Sequence, residues 1–311
     1  MTQILIGTAL LLVVLALFTL FSYKAPQGMK AMGALANAAC ASFLVEAFHF
    51  SLFGEQMGIK FLEGVGSANG SLGGVAAGIL VPLALGVSPV YAVLVGLTVS
   101  GYGILPGFIA MAMDPVVKNT LLQIGQVLIQ ASDSSPIVMG LILGGLITVV
   151  ATAPLSSMAL TSIIGLTGIP MGIGALAVFG SSFMNYVFFS KMKFGSKKDT
   201  IAVAIEPLTQ SDIISANPIP VYVTNFIGGA MSGIIVAIMG IKVGTPGLAT
   251  PIAGFAVSVA QNGTKALIAA AGCVVVSILA GFIGHAIFKN TKIKTADEIR
   301  GTQSVDANTA A

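Results

Sequence analysis

Residues 201–220 read IAVAIEPLTQSDIISANPIP, and they set a carboxylate, Glu206, directly before a proline, Pro207. Proline donates no backbone hydrogen bond and disfavours helix in the residue ahead of it. Glu206 is therefore expected where the backbone breaks. The neighbours Ile201–Ile205 and Ile213–Ile214 are too apolar for an ordinary aqueous loop, although a loop with solvated acids is the competing reading. Broken backbone at membrane depth is tolerated only where protein or a water-filled cavity surrounds it. The stretch reads as a binding site built at a break.

That reading needs a membrane, and the composition supplies one. The 311 residues are 56% hydrophobic and 8% charged, with a mean hydropathy of +0.99. Soluble domains carry about 25% charged residues. Residues 64–113 and 134–190 contain no Lys, Arg, Asp or Glu. Each run can hold two spans of about 20 residues. With 38 glycines and 13 prolines, the spans are expected to pack closely and to be interrupted often. The expected class is an all-α polytopic membrane protein with about 8–10 transmembrane helices and re-entrant hairpins.

Outward from Glu206, residues 221–241 form a clear span, and 244–259 is too short and broken for another. Its Thr245-Pro246 and Thr250-Pro251 pairs mark a second hairpin that ends at Gln261-Asn262-Gly263. A last span covers 266–288. Upstream, residues 155–190 are apolar but interrupted by Gly165, Gly168, Pro170 and Gly172, so two short spans and one span with a re-entrant arm both fit. Further back lie spans near 3–23, 31–53, 71–87, 90–112 and 136–154, a polar segment at 54–70 and an interfacial helix at 114–133. The first span is expected to stay in place, because its apolar run exceeds that of a signal peptide. The division expected is an N-terminal half, 1–134, for scaffold and dimerisation, a C-terminal transport half, 135–294, and a disordered cytoplasmic tail, 295–311. Lysines at 24 and 30, 191–198 and 289–294 all face the cytoplasm if the N-terminus lies outside.

The polar residues left inside these spans are the candidates for function. A charge at the bilayer centre costs at least about 2.5–3.5 kcal/mol, so Glu46 and Glu206 are functional candidates by default. Glu206 can accept hydrogen bonds from substrate hydroxyls, or carry a proton. Gln210, Asn217 and Asn262 are its plausible polar neighbours. Glu46 and His49 lie three apart and share a helix face, either as a second substrate contact or as a structural hydrogen bond between helices. His285, beside Lys289, reads as a helix-end residue. Cys40 and Cys273 lie in apolar segments without metal spacing, and ordinary soluble catalysis, nucleic-acid binding, cofactors and metals are all unexpected.

Ala204-Ile205-Glu206-Pro207 also resembles the Gly-Ile-Thr-Glu-Pro signature of the membrane subunits, enzyme IIC, of the bacterial sugar phosphotransferase system. It is most similar to their short branch, described as perfringolysin O regulator-like. The resemblance covers roughly residues 1–295 in layout. It implies a bacterial plasma-membrane homodimer whose second half moves as an elevator, with Glu206 binding sugar hydroxyls. Ile205 stands where threonine would precede the glutamate, the residues ahead of it do not supply the signature's Gly-Ile, and no clear match to the family's sugar-binding histidine is present. About 20 residues follow position 290, so phosphorylating IIA and IIB partners are expected on separate chains or absent. The resulting expectation is a transporter subunit, not a catalyst, for a sugar or similar hydroxylated solute. An ion-coupled carrier without phosphorylation and a membrane-embedded regulator of gene expression are the alternatives.

Overall fold

The computed structural model describes residues 2–70, 72–100, 119–120, 122–131, 135–153 and 156–300. Helices account for nearly all of them, and no β-strand is present among them. The N-terminal elements are α1 (Thr2–Lys24), α2 (Gly28–Val45, continued by a π-helical segment Glu46–Gln56), α3 (Lys60–Gly70), α4 (Gly73–Ala84), α5 (Pro89–Ser100) and α6 (122–131). There follow α7 (Pro136–Thr152), α8 (Ser157–Ile163), α9 (Gly168–Met192), α10 (Lys197–Ile205), a 3-10 turn (Pro207–Gln210), α11 (Ser211–Ala216), α12 (Pro218–Met239), α13 (Pro251–Asn262), α14 (Thr264–Phe288) and α15 (Ala296–Arg300). Among the described residues four helices are long and apolar enough to cross a membrane: Gly28–Gln56, Gly168–Met192, Pro218–Met239 and Thr264–Phe288. Shorter apolar helices include Gly73–Ala84 and Pro136–Thr152.

The core is the bundle of α7, α9, α12 and α14. In lipid, apolar side chains alone give helices little reason to associate, so close backbone approach carries the packing. Gly140 and Gly144 on α7 face Gly233 and Gly229 on α12. A Cβ at either end of these pairs would strike the partner's backbone carbonyl. The gap is used: Thr148 Oγ1 donates to Asn225 O at 2.8 Å across it. Buried polar pairs tie the remaining faces, with Asn225 Nδ2 donating to Asn185 Oδ1 at 2.9 Å and Ser232 Oγ lying 3.0 Å from Ser277 Oγ.

The interrupted region 155–190 resolves into one long span, α9, preceded by the short arm α8. Gly168 at the start of α9 exchanges two backbone hydrogen bonds with Val243, just after α12, so those two ends lie together. At the opposite end the three lysine-bearing segments gather. Tyr23 Oη donates to Ala216 O, Lys294 Nζ lies 4.1 Å from the Tyr23 ring, and Ala296 N donates to Phe194 O at 2.7 Å.

Three expectations change. The segment 54–70 is helical over Lys60–Gly70, because α3 folds back on the π segment, with Gly66 against Phe50 and Gly54 against Glu63. The tail is ordered through Arg300 by side-chain contacts described below, while residues 301–311 lie outside the described residues. Most of the expected span 90–112 and the start of the 114–133 helix also lie outside them. The described part, α6, buries Ile124, Val127, Leu128 and Ala131 in the core.

Candidate functional site

Ser196 opens α10 as an N-cap within a capping box: its hydroxyl accepts from Asp199 N, and the Asp199 carboxylate accepts from Ser196 N. The helix then climbs from the lysine-rich end until Pro207 stops it. Glu206 there has extended backbone, φ −152° and ψ 111°, as a residue before proline should. The chain turns through Pro207–Gln210 and returns through α11 to Asn217. From the other end of the molecule, residues 244–250 dip inward and α13 returns. Asn262 closes this second hairpin by bonding Lys242 N and O at 3.0 and 2.7 Å.

The two hairpins meet at their proline-marked tips. Thr250 Oγ1, ahead of Pro251, donates to Glu206 Oε2 at 3.3 Å. Glu206 is 4% exposed and Thr250 1%. Ala36 and Cys40 of α2 cover Leu208 beside them, and Gly33 runs close to Asp212. A carboxylate offers about four acceptor sites. The Leu208 N–H and the long Thr250 contact fill part of this capacity, so the carboxylate keeps unused acceptor sites.

Below the tip, toward the lysine-rich end, a cavity of about 900 Å³ lies between α2, α4 and the first hairpin. Lys30 and Asn37 face it from one side, and Thr209, Gln210, Asp212 and Arg300 from the other. Thr209 Oγ1 donates to Glu206 O at 2.7 Å, which joins the cavity wall to the tip. Its volume is in the upper part of the range typical of small-molecule sites.

Arg300 fastens this wall. Its Nη1 donates to Asp199 Oδ1 at 2.6 Å, its Nε to Asp212 Oδ2 at 2.8 Å and its Nη2 to Gln210 Oε1 at 2.8 Å. Burial pushes the Asp199 carboxyl up, but hydrogen bonds from Ser196 and Arg300 outweigh it and hold the group below the usual carboxylate range. The same bonds, led by those to Asp212, push the Arg300 guanidinium upward. Asn217 adds a second fastening, since its side chain both donates to Lys294 O and accepts from Lys294 N at 2.8 Å.

The structure thus brings Glu206, Pro207 and Gln210 together at one tip and its cavity. The Asn217 side chain is engaged with the C-terminal strap, and the Asn262 side chain with its own hairpin. Glu46 and His49 do not share a face. The helix changes from α to π winding at Glu46, so His49 Nδ1 turns to Val45 O at 3.1 Å and its ring meets Phe53 edge-on, while Glu46 lines a smaller cavity. Sequence reasoning missed Arg300, Asp199 and Thr250. A Thr-Pro pair matching the Glu-Pro pair was the one available signal, and it marks Thr250.

A family model described as "Phosphotransferase system, EIIC" matches residues 29–105 and 99–300 of the chain. No curated protein and no solved structure matches it.

Proposed function

The chain belongs to the phosphotransferase system EIIC family, and we propose that it binds a sugar or sugar derivative at Glu206 and carries it across the membrane by an elevator motion. One observation carries this reading. A buried carboxylate sits at the meeting point of two proline-broken hairpins, and Thr209, bonded to the Glu206 backbone carbonyl, lines a large cavity with polar walls. Broken backbone at depth supplies fixed polar groups without spending a straight span, which is how carriers build midplane sites. Both hairpins connect directly to long helices of the α9, α12 and α14 bundle, whereas the facing wall belongs to α2 and α4. Sliding of the first set along the second is the motion proposed, with a homodimer held through the N-terminal half.

A binding screen of the purified chain over sugars, organic acids and nucleosides tests the substrate class. Saturable binding of a sugar or sugar derivative is expected, and binding confined to organic acids or nucleosides would reject it. In proteoliposomes holding this chain alone, accumulation driven by an imposed pH gradient would identify an ion-coupled carrier. Strict dependence on a separate phosphocysteine protein is the outcome expected of phosphotransfer-linked uptake.

The orientation proposed puts the lysine-rich end in the cytoplasm, which the gathering of all three lysine segments at one end supports. The native thiols Cys40 and Cys273 are buried. Lys197→Cys and Lys292→Cys should therefore resist an impermeant maleimide added outside intact cells and react once the membrane is opened. Labelling from outside would invert the topology.

A further inference from the structure

At the end of α2 away from the lysines lies a second cavity, of about 280 Å³, lined by Glu46, Phe50, Ser51, Glu55, Ser162 and Thr245. Residues nine apart on an α-helix sit on opposite faces, because 3.6 residues make a turn. The π winding of Glu46–Gln56, with its i→i+5 bonds, makes about two turns in nine residues. It therefore brings Glu46, Phe50, Ser51 and Glu55 to one wall. The winding accompanies packing against α3, and it sets two glutamates along one cavity wall.

The remaining groups point to what that space holds. Ser51 is 5% exposed, and among the described residues its hydroxyl has no hydrogen-bond partner although it lines the cavity. Thr245 Oγ1 donates to Glu55 Oε2 at 3.2 Å, and Glu46 and Ser51 line the same cavity beside them. The volume is near the lower limit of small-molecule sites, which suits one sugar-sized ring and is too roomy for a bare ion. Phe50 supplies an apolar wall for such a ring.

We propose that this cavity is a second subsite for a single-ring hydroxylated solute, separate from Glu206; the proposed occupant rests on the sugar reading above. Its hydroxyls donate to Glu46 and Glu55, and Ser51 exchanges a further hydrogen bond with it. The subsite is wired to the central tip. Thr245 stands in its wall, and the same loop runs through Ala249, whose carbonyl accepts from Ser157 Oγ at 2.7 Å, to Thr250, which holds Glu206. A solute seated here presses on the loop that positions the central carboxylate.

The chain contains no tryptophan, so Phe50→Trp installs a sole indole reporter in this wall. The full chain in lipid nanodiscs is titrated with D-glucose, N-acetyl-D-glucosamine, D-galactose and D-ribose, each followed by indole emission and by equilibrium dialysis of the radiolabelled compound. At least one should shift the emission saturably, and should do so again when Glu206→Gln is added. Glu46→Gln or Glu55→Gln should weaken that response about tenfold or more. Ser51→Cys, alkylated by N-ethylmaleimide, gives a second measurement, and the same sugar should slow its modification.

Loss of the emission shift on adding Glu206→Gln would mean that the indole senses the central site, and the subsite would fall. Dialysis binding that needs Glu206, without any emission shift or protection at position 51, would overturn the subsite while leaving the Glu206 reading intact. No binding of any of the four by any readout would count against both. A shift produced by sodium chloride and by none of the sugars would make the cavity an ion site and overturn the proposed occupant.

Discussion

Glu206→Gln should weaken solute binding by about 10- to 150-fold while the protein still folds. The amide keeps the shape of the carboxylate and its place ahead of Pro207, but not its charge. Hydrogen bonds to a charged group contribute roughly 1.5–3 kcal/mol, which converts to that range of affinity. The side chain is 4% exposed, so bulk water cannot replace the lost interaction. Glu206→Asp should fail as well, since the backbone fixed by Pro207 cannot advance to restore the shortened reach. Equilibrium binding beside a size-exclusion profile makes the comparison. Normal affinity in a well-folded Glu206→Gln protein would move the site to another segment.

A larger effect, on folding and not on binding, is expected at the crossing of α7 and α12. Gly144→Val and Gly229→Val each place a branched side chain where the partner helix presents a backbone carbonyl. A flexible side chain could swing away, but a carbonyl within a helix moves only with the helix. Overpacking typically costs 1–3 kcal/mol, occasionally more, and the rigid neighbour sets this case at about 3 kcal/mol or above. Thr148 and Asn225 would lose their hydrogen bond as the helices part. Each variant should give little monodisperse protein in detergent and a clearly lower melting midpoint. Gly64→Ala is the contrast: it lies in α3 with nothing within 4 Å of an added Cβ, and helix propensity favours alanine. Equal melting of the two valine variants and the parent would contradict the close crossing.

Local chemistry was readable from the chain alone. Uncharged apolar runs have no alternative in water, so membrane helices follow from composition. A proline removes a donor from its own residue and constrains the one before it, so the break at Glu206 and the one at Thr250 were visible as dipeptides. The lysine clusters at 24 and 30, 191–198 and 289–294 likewise marked one end of the molecule, and the structure collects them there.

Tertiary structure alone decided what those breaks meet. Nothing local distinguishes Arg300, in a polar segment with few apolar residues, from a solvated tail; it is ordered because Asp199, Gln210 and Asp212, about 90 to 100 residues earlier, converge on its guanidinium. The bond of Asn217 to Lys294 was hidden for the same reason, since the two are 77 residues apart. The winding of Glu46–Gln56 was equally hidden. An α period pairs Glu46 with His49, and only packing against α3 accompanies the π turn that sets Glu46 beside Glu55 instead. Short-range sterics write the breaks and the spans into the sequence, whereas the groups that share a cavity are chosen by contacts between segments far apart in the chain.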